Sequence, residues 1–152
     1  MDLAIINTWL VTFRGEGLGI IENGAVASKD DRIEFVGKTK DLNLEDVDKI
    51  IDGKNHVTMP GLVNAHTHTG LTLLRGGAQD VPEIEWMNKA LGPIAKHLTE
   101  KDRILGSKLG VLEGLRSGIT TFGEYQSNVK KAVKEVYRPL KVRVAATETI
   151  NE

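Results

Sequence analysis

The chain has no cysteine among its 152 residues, which removes disulfides, a thiolate nucleophile and cysteine-ligated zinc from consideration. It also lacks any apolar run approaching the ~20 residues that a membrane-spanning helix needs. The opening stretch Met1 to Phe13 is broken by Asp2, Asn7 and Thr8, unlike the apolar segment of a signal peptide. An excess of one charge is missing too: 20 basic against 21 acidic residues leave a formal net charge of -1. Nothing in that balance provides an electrostatic footprint for nucleic acid or an anionic membrane. These absences lead us to expect a cytoplasmic protein acting on small neutral or mixed molecules, in which any metal must rest on histidines and carboxylates.

What is present divides the chain in two. A hydrophobic content of 40% is enough for one ordinary core, or for a small domain plus the opening of a larger one. Over residues 1–56, short strand-like runs (Leu3 to Phe13, Ile20 to Ser28, Arg32 to Val36, Lys49 to Asp52) alternate with turn signals. Those signals are Gly15-Glu16-Gly17, Asn23-Gly24, Lys29-Asp30-Asp31 and Asp52-Gly53-Lys54. The pattern predicts a small antiparallel β-sandwich segment, with a boundary near Asn55 to Pro60. Residues 57–152 read instead as alternating strands and helices. Strands are predicted at Gly61 to His66, Ile119 to Gly123 and Lys141 to Thr147. The helix over Val81 to Leu98 carries Ile84, Met87, Leu91, Ile94, Ala95 and Leu98 at helical spacing and should be split by Pro93. A second helix begins at Thr99, where Thr99-Glu100-Lys101-Asp102 matches a capping box, with Leu105, Leu109 and Leu112 as its apolar stripe and Gly118 as its stop. A third covers Ser127 to Tyr137 and ends before Pro139. Such alternation implies an α/β fold with parallel pairing, either a doubly wound sheet or a barrel.

The residues that carry chemistry lie in Pro60-Gly61-Leu62-Val63-Asn64-Ala65-His66-Thr67-His68. Side chains two apart on a strand point the same way, so the imidazoles of His66 and His68 can reach one cation from a rigid support. Neutral imidazole binds Zn²⁺ at ~2.0–2.1 Å, and an open coordination position brings the pKa of a bound water to about 7. A His-x-His pair is a weak signal alone. Its place at the carboxyl end of the first strand of a βα series, where barrel enzymes build their active sites, is what gives it weight. The same parity sets Leu62 and Asn64 inward, and a buried amide there must find hydrogen-bond partners. Other polar residues have plainer roles. His56 in a polar turn and His97 at a helix end read as structural, and Asp80, Glu83 and Glu85 suit a helix amino terminus. Glu124 follows the second strand without a visible proton-transfer partner. Gly76-Gly77 and Gly15-x-Gly17 read as turns.

With these motifs in hand, the chain resembles the amidohydrolase superfamily, in its branch of triazine hydrolases and aminoheterocycle deaminases. Ile21-Glu22-Asn23-Gly24 with Asp31-Arg32-Ile33-Glu34-Phe35-Val36-Gly37 resembles the family's amino-terminal sandwich. Met59 to His68 resembles its metal-binding first strand. Leu73-Leu74-Arg75-Gly76, Glu85-Trp86-Met87 and Arg116-Ser117-Gly118-Ile119-Thr120-Thr121-Phe122 resemble the segments that follow. The resemblance implies a (β/α)8 TIM-type barrel, of which this chain holds the first three strands, and one divalent metal, zinc or alternatively iron. His66 and His68 would be joined there by a later histidine and an aspartate. It implies a metal-bound hydroxide that deaminates or dechlorinates a nitrogen heterocycle, with Trp86 as a pocket residue that could equally be core. The proton-shuttling residues of such enzymes fall after Glu152, so no catalytic residue is expected within this chain, which reads as an amino-terminal part that is inactive alone. Nucleoside-acting members resemble Pro-x-Glu where this chain has Pro93-Ile94-Ala95, and Ala95 cannot accept a hydrogen bond from a ribose. Two rival readings are a cyclic amide hydrolase of the same superfamily and a non-catalytic folding or interaction module. Three barrel strands would leave an open edge and apolar surface, predicting self-association into a homo-oligomer or a complementing fragment.

Overall fold

The computed structural model describes residues 1–77 and 79–148, so Ala78 and the last four residues of the expected barrel segment lie outside the described residues. The chain is a mixed α/β structure with two sheets, which fall in two compact units, Met1–Pro60 and Gly61–Glu152.

In the first unit, β1 (Leu3–Val11), β2 (Ile20–Lys29) and β3 (Arg32–Lys38) pair antiparallel. Asp30 and Asp31, at φ 48° and 64°, form the tight connection between β2 and β3. Short polar residues tolerate that left-handed backbone, which matches the twist of a hairpin. Alternation places Ala4, Ile6, Thr8 and Leu10 of β1 on the buried face. Ala4 and Ile6 join Ala25, Ala27 and Leu42 in a core on which Phe35 and Val47 pack. The sheet departs from the antiparallel expectation at its other side: β4 (Ile50–Asp52) and β5 (Val57–Thr58) both join β1 in parallel. The cause is the stretch between β3 and β4, where two 3-10 turns, Thr39–Asp41 and Leu44–Asp46, carry the chain back before it re-enters the sheet. A parallel pair needs such a crossover, whereas a hairpin does not.

In the second unit, β6 (Leu62–Thr67), β7 (Ile119–Gln126) and β8 (Arg143–Glu148) lie parallel in the order β6-β7-β8. After β6 comes a 3-10 segment, Thr69–Leu74, then an irregular helix built from α1 (Glu83–Glu85), a π-helical stretch Trp86–Leu91 and α2 (Gly92–Ala95). The split expected from Pro93 takes the form of this widened turn: proline has no N–H for the carbonyl four residues back, and Gly92 N bonds five back to Met87 O. Glu83 and Glu85 stand in the first turn of α1, where carboxylates suit the helix amino terminus, while Pro82 holds the cap position without a side-chain bond. α3 (Glu100–Arg116) starts with the complete Thr99/Asp102 capping box and stops before Gly118 at φ 84°. α4 (Val129–Ala132) continues as a π-helical stretch, Val133–Tyr137.

The buried face of α3 differs from the leucine stripe expected of it. Leu105, Leu109 and Leu112 are 56%, 39% and 52% exposed, while Ile104, Gly106, Ser107, Val111 and Gly114 are buried. Small residues let the helix come close: a Cβ on Gly106 would sit 2.9 Å from the carbonyl oxygen of Gly70. Ile104, Val111, Phe122, Ala132, Val136 and Tyr137 form the core between the helices and β7. No helix among the described residues is long and apolar enough to cross a membrane.

Candidate metal centre

Register in β7 decides what each face of the second sheet can do. Phe122, Glu124 and Gln126 are buried against the helices, so Tyr125, between the last two, projects from the opposite face. That opposite face carries the histidines, since the ring of Tyr125 stands edge-on to His68 at 5.3 Å between centroids.

The ladder between β6 and β7 breaks register after Asn64. There Asn64 Oδ1 accepts a 3.2 Å hydrogen bond from the N–H of His66, a partner for the amide that alternation set inward. Gly123 permits the same close approach, because a Cβ on it would lie 2.2 Å from the carbonyl oxygen of Ala65. His66 is the last residue but one of β6, and His68 leaves the strand at φ -125°, ψ 66° to open the 3-10 segment. Both rings are exposed and they converge: Nε2 of His66 and Nε2 of His68 are 3.0 Å apart, with ring planes at 78°.

Hydrogen bonding assigns the protons. Nδ1 of His68 is 2.6 Å from the carbonyl oxygen of Tyr125. A carbonyl only accepts, so Nδ1 carries the hydrogen and the neutral ring keeps its lone pair on Nε2, aimed at His66. Without a cation, Nε2–H of His66 donates to that lone pair. With His66 in its other tautomer, two lone pairs meet at one point. Two Zn–N bonds of ~2.0–2.1 Å at a tetrahedral angle separate their nitrogens by about 3.4 Å, so the spacing fits a shared cation after a small opening. A ligand histidine whose second nitrogen donates to a carbonyl is the usual supporting arrangement for a metal. Among the described residues no group of three or more His, Cys, Asp or Glu side chains comes together to hold a metal, so the residues fit as two ligands of a larger set.

Trp86 is half-buried in a narrow cleft with Leu74, Leu91 and Ile94, and makes no ring contact with either histidine among the described residues. His56 is engaged locally, its Nδ1 2.9 Å from the carbonyl of Lys54. Glu124 is what the sequence reading missed: it lies inside β7, not after it, and is 1% exposed. Its carboxylate accepts from the N–H of Thr69 at 3.3 Å, from the Thr69 hydroxyl and from the Tyr137 hydroxyl at 2.5 Å. Burial first, then the bond to Glu124, push the Tyr137 hydroxyl well above the ordinary tyrosine pKa. The signal available in the sequence was parity, since Glu124 is two residues from Phe122 on a strand.

An open strand end holding two convergent imidazoles beside a helix-backed parallel sheet defines a metal-type βα site. The chain belongs to the amidohydrolase family, whose model matches residues 57–150. It is 35% identical over 138 residues to a 5-methylthioadenosine/S-adenosylhomocysteine deaminase of Halothermothrix orenii, covering 90% of this chain and 32% of that protein. It is 40% identical over 136 residues to a 5'-deoxyadenosine deaminase of Methanosarcina mazei, covering 89% and 30%. The chain thus spans about a third of the length of the curated relatives it matches. Among solved structures, an adenosine deaminase from Xanthomonas campestris with bound zinc superimposes with a TM-score of 0.85 at 30% identity, covering 94% of this chain and 33% of that one. An atrazine chlorohydrolase from Arthrobacter aurescens complexed with zinc gives 0.82 at 22% identity, covering 96% and 35%, a likeness of fold.

Proposed function

We propose that the whole protein is a cytoplasmic, divalent-metal-dependent hydrolase that replaces an exocyclic amino group or chlorine on a nitrogen heterocycle by the oxygen of water, releasing ammonia or chloride. The observation that carries this reading is the 3.0 Å approach of Nε2 of His66 to Nε2 of His68, with the proton of His68 committed to Tyr125. Residues 57–152 are read as the first three strands of a (β/α)8 barrel and residues 1–56 as part of its amino-terminal sandwich.

A zinc ion held there would activate a water, bringing its pKa to about 7. The chain's own part is to present two neutral imidazoles from a rigid strand end. Trp86 is assigned to the substrate pocket, where its indole would pack on a flat ring. The relatives named for adenosine derivatives favour deamination, while Ala95 offers no carboxylate to a ribose. A substrate gripped through its base rather than its sugar meets both observations. The isolated chain, with two ligands and an open sheet, is expected to self-associate or to need a complementing fragment, and to turn nothing over.

The test is metal analysis of the full-length protein together with an ammonia-release assay on aminated purines, pyrimidines and triazines. About one zinc per chain, lost along with activity in His66→Ala, is the expected result. A full-length protein that binds no metal and is inactive on all three classes would defeat the reading.

A further inference from the structure

Behind the histidines, on the helix-covered face of the sheet, lies a buried polar cluster that the proposed reaction does not use. Thr69 (3% exposed), Ser107 (0%), Glu124 (1%), Gln126 (6%) and Tyr137 (0%) come from the 3-10 segment, α3, β7 and the π-helical stretch. Every buried side-chain polar atom among the described residues has a partner. Counting protons orders the cluster. Gln126 Nε2 donates to Ser107 Oγ at 3.2 Å, and the Ser107 and Thr69 hydroxyls are 3.1 Å apart. Thr69 has a single hydroxyl proton. Committing it to Glu124 leaves the Ser107 proton to bridge to Thr69, so donors run from Gln126 through Ser107 and Thr69 to the carboxylate, where the Tyr137 hydroxyl donates to the same oxygen, 3.2 Å from Thr69 Oγ1. Among the described residues no cation faces Glu124. All its partners are neutral donors, and a buried carboxylate so held is costly unless its geometry is kept.

Placement says what that geometry fixes. Glu124 grips the N–H of Thr69, the residue directly after His68. It is also the residue directly before Tyr125, whose carbonyl takes the Nδ1 proton of His68. One carboxylate therefore ties together the two backbone positions that set where the His68 ring stands and which of its nitrogens is free. We infer that Glu124 is a positioning residue for the histidine pair, holding the turn after His68 against the Tyr125 position of β7 so that Nε2 of His68 presents its lone pair toward Nε2 of His66. This rests on the metal reading above for its purpose, though not for its test.

The test uses the full-length protein, stripped of metal, labelled for two-bond proton–nitrogen correlation of the histidine rings and then titrated with Zn²⁺. In the wild type, His68 should show a protonated Nδ1 and a bare Nε2 before any metal is added. Glu124→Gln turns an amide N–H₂ toward the Thr69 N–H, donor against donor. It should mix the His68 tautomers and weaken Zn²⁺ binding by about tenfold or more, the usual cost of losing a residue that supports a ligand. Tyr137→Phe keeps the carboxylate and its bond to Thr69 N–H, and should lower stability while leaving the tautomer and zinc affinity near wild type. A purely structural carboxylate predicts the opposite: both variants lose stability and neither changes the ring pattern. Should Glu124→Gln fail to fold, Glu124→Asp decides, since withdrawing the carboxylate by one methylene should also mix the tautomers. A wild-type His68 protonated on Nε2, or a folded E124Q or E124D with a wild-type ring pattern, overturns the inference. A fixed tautomer in a chain that never takes up zinc would spare it and count against the metal reading instead.

Discussion

The two units of the chain bury their interiors in different ways. The first relies on a flat face of small side chains, Ala4, Ala25 and Ala27 with Ile6 and Leu42, and the buried polar residue in its sheet, Thr8, bonds to the His56 carbonyl and to the Thr58 hydroxyl. The second sets large rings, Phe122 and Tyr137 at 5.7 Å, beside a buried carboxylate and its donors. A face of small residues specifies register cheaply and little else. A buried acid amid neutral donors specifies one arrangement of four segments, at the risk of collapse if any member is wrong. The unit that holds the histidines is the one built the second way.

The hardest blow to that contrast is Phe122→Ala. It removes a ring that is 1% exposed and should cost the second unit about 3–5 kcal/mol. Denaturation followed at Trp86 should shift strongly, while Trp9, in the first sheet, reports an unchanged transition; equal shifts at both would dissolve the distinction between the units. Gly123→Ala comes next. Its Cβ must push Ala65 away, which should cost about 1–3 kcal/mol and move His66 and His68 apart in ring spectra. Alkali sharpens the comparison. Tyr137 has a pKa raised in the folded state, so its contribution is fully present below the ordinary tyrosine value and fades as pH rises through the folded one. The second unit should therefore lose about 1.4 kcal/mol per pH unit beyond about pH 10, a slope absent in Tyr137→Phe. Thr99→Ala deletes the hydroxyl half of the capping box on α3 and should lower stability by about 1 kcal/mol in urea titrations. Leu105→Ser, 56% exposed on α3, should lower it by about 1 kcal/mol or less; a loss above about 2 kcal/mol would mean the leucine stripe is covered after all.

Local chemistry made much of this legible from residues alone. Strand alternation places Ala4, Ile6, Thr8 and Leu10 on one face, the Thr99 box marks the start of α3, Gly118 its end, and Pro93 the disturbance of the helix before it. The convergence of His66 and His68 follows from the same parity. Hidden from sequence were the features set by partners distant in the chain. The parallel entry of β4 depends on a crossover whose two 3-10 turns carry no strong signature. The buried side of α3 was misjudged because leucines outweigh glycine and serine in any apolar count, although close packing favours the smaller residues. The Glu124 cluster joins residues 13 to 68 positions apart, and a main-chain carbonyl such as that of Tyr125 leaves no trace in a residue code.

That last contact has an evolutionary corollary. The acceptor for Nδ1 of His68 belongs to the backbone, so no exchange of the side chain at position 125 can delete it, and the tyrosine ring beside His68 is free to change with whatever molecule the open face meets. What cannot drift is the length of β7: a single residue gained or lost between Phe122 and Tyr125 would swap that carbonyl for another and leave the imidazole without its anchor.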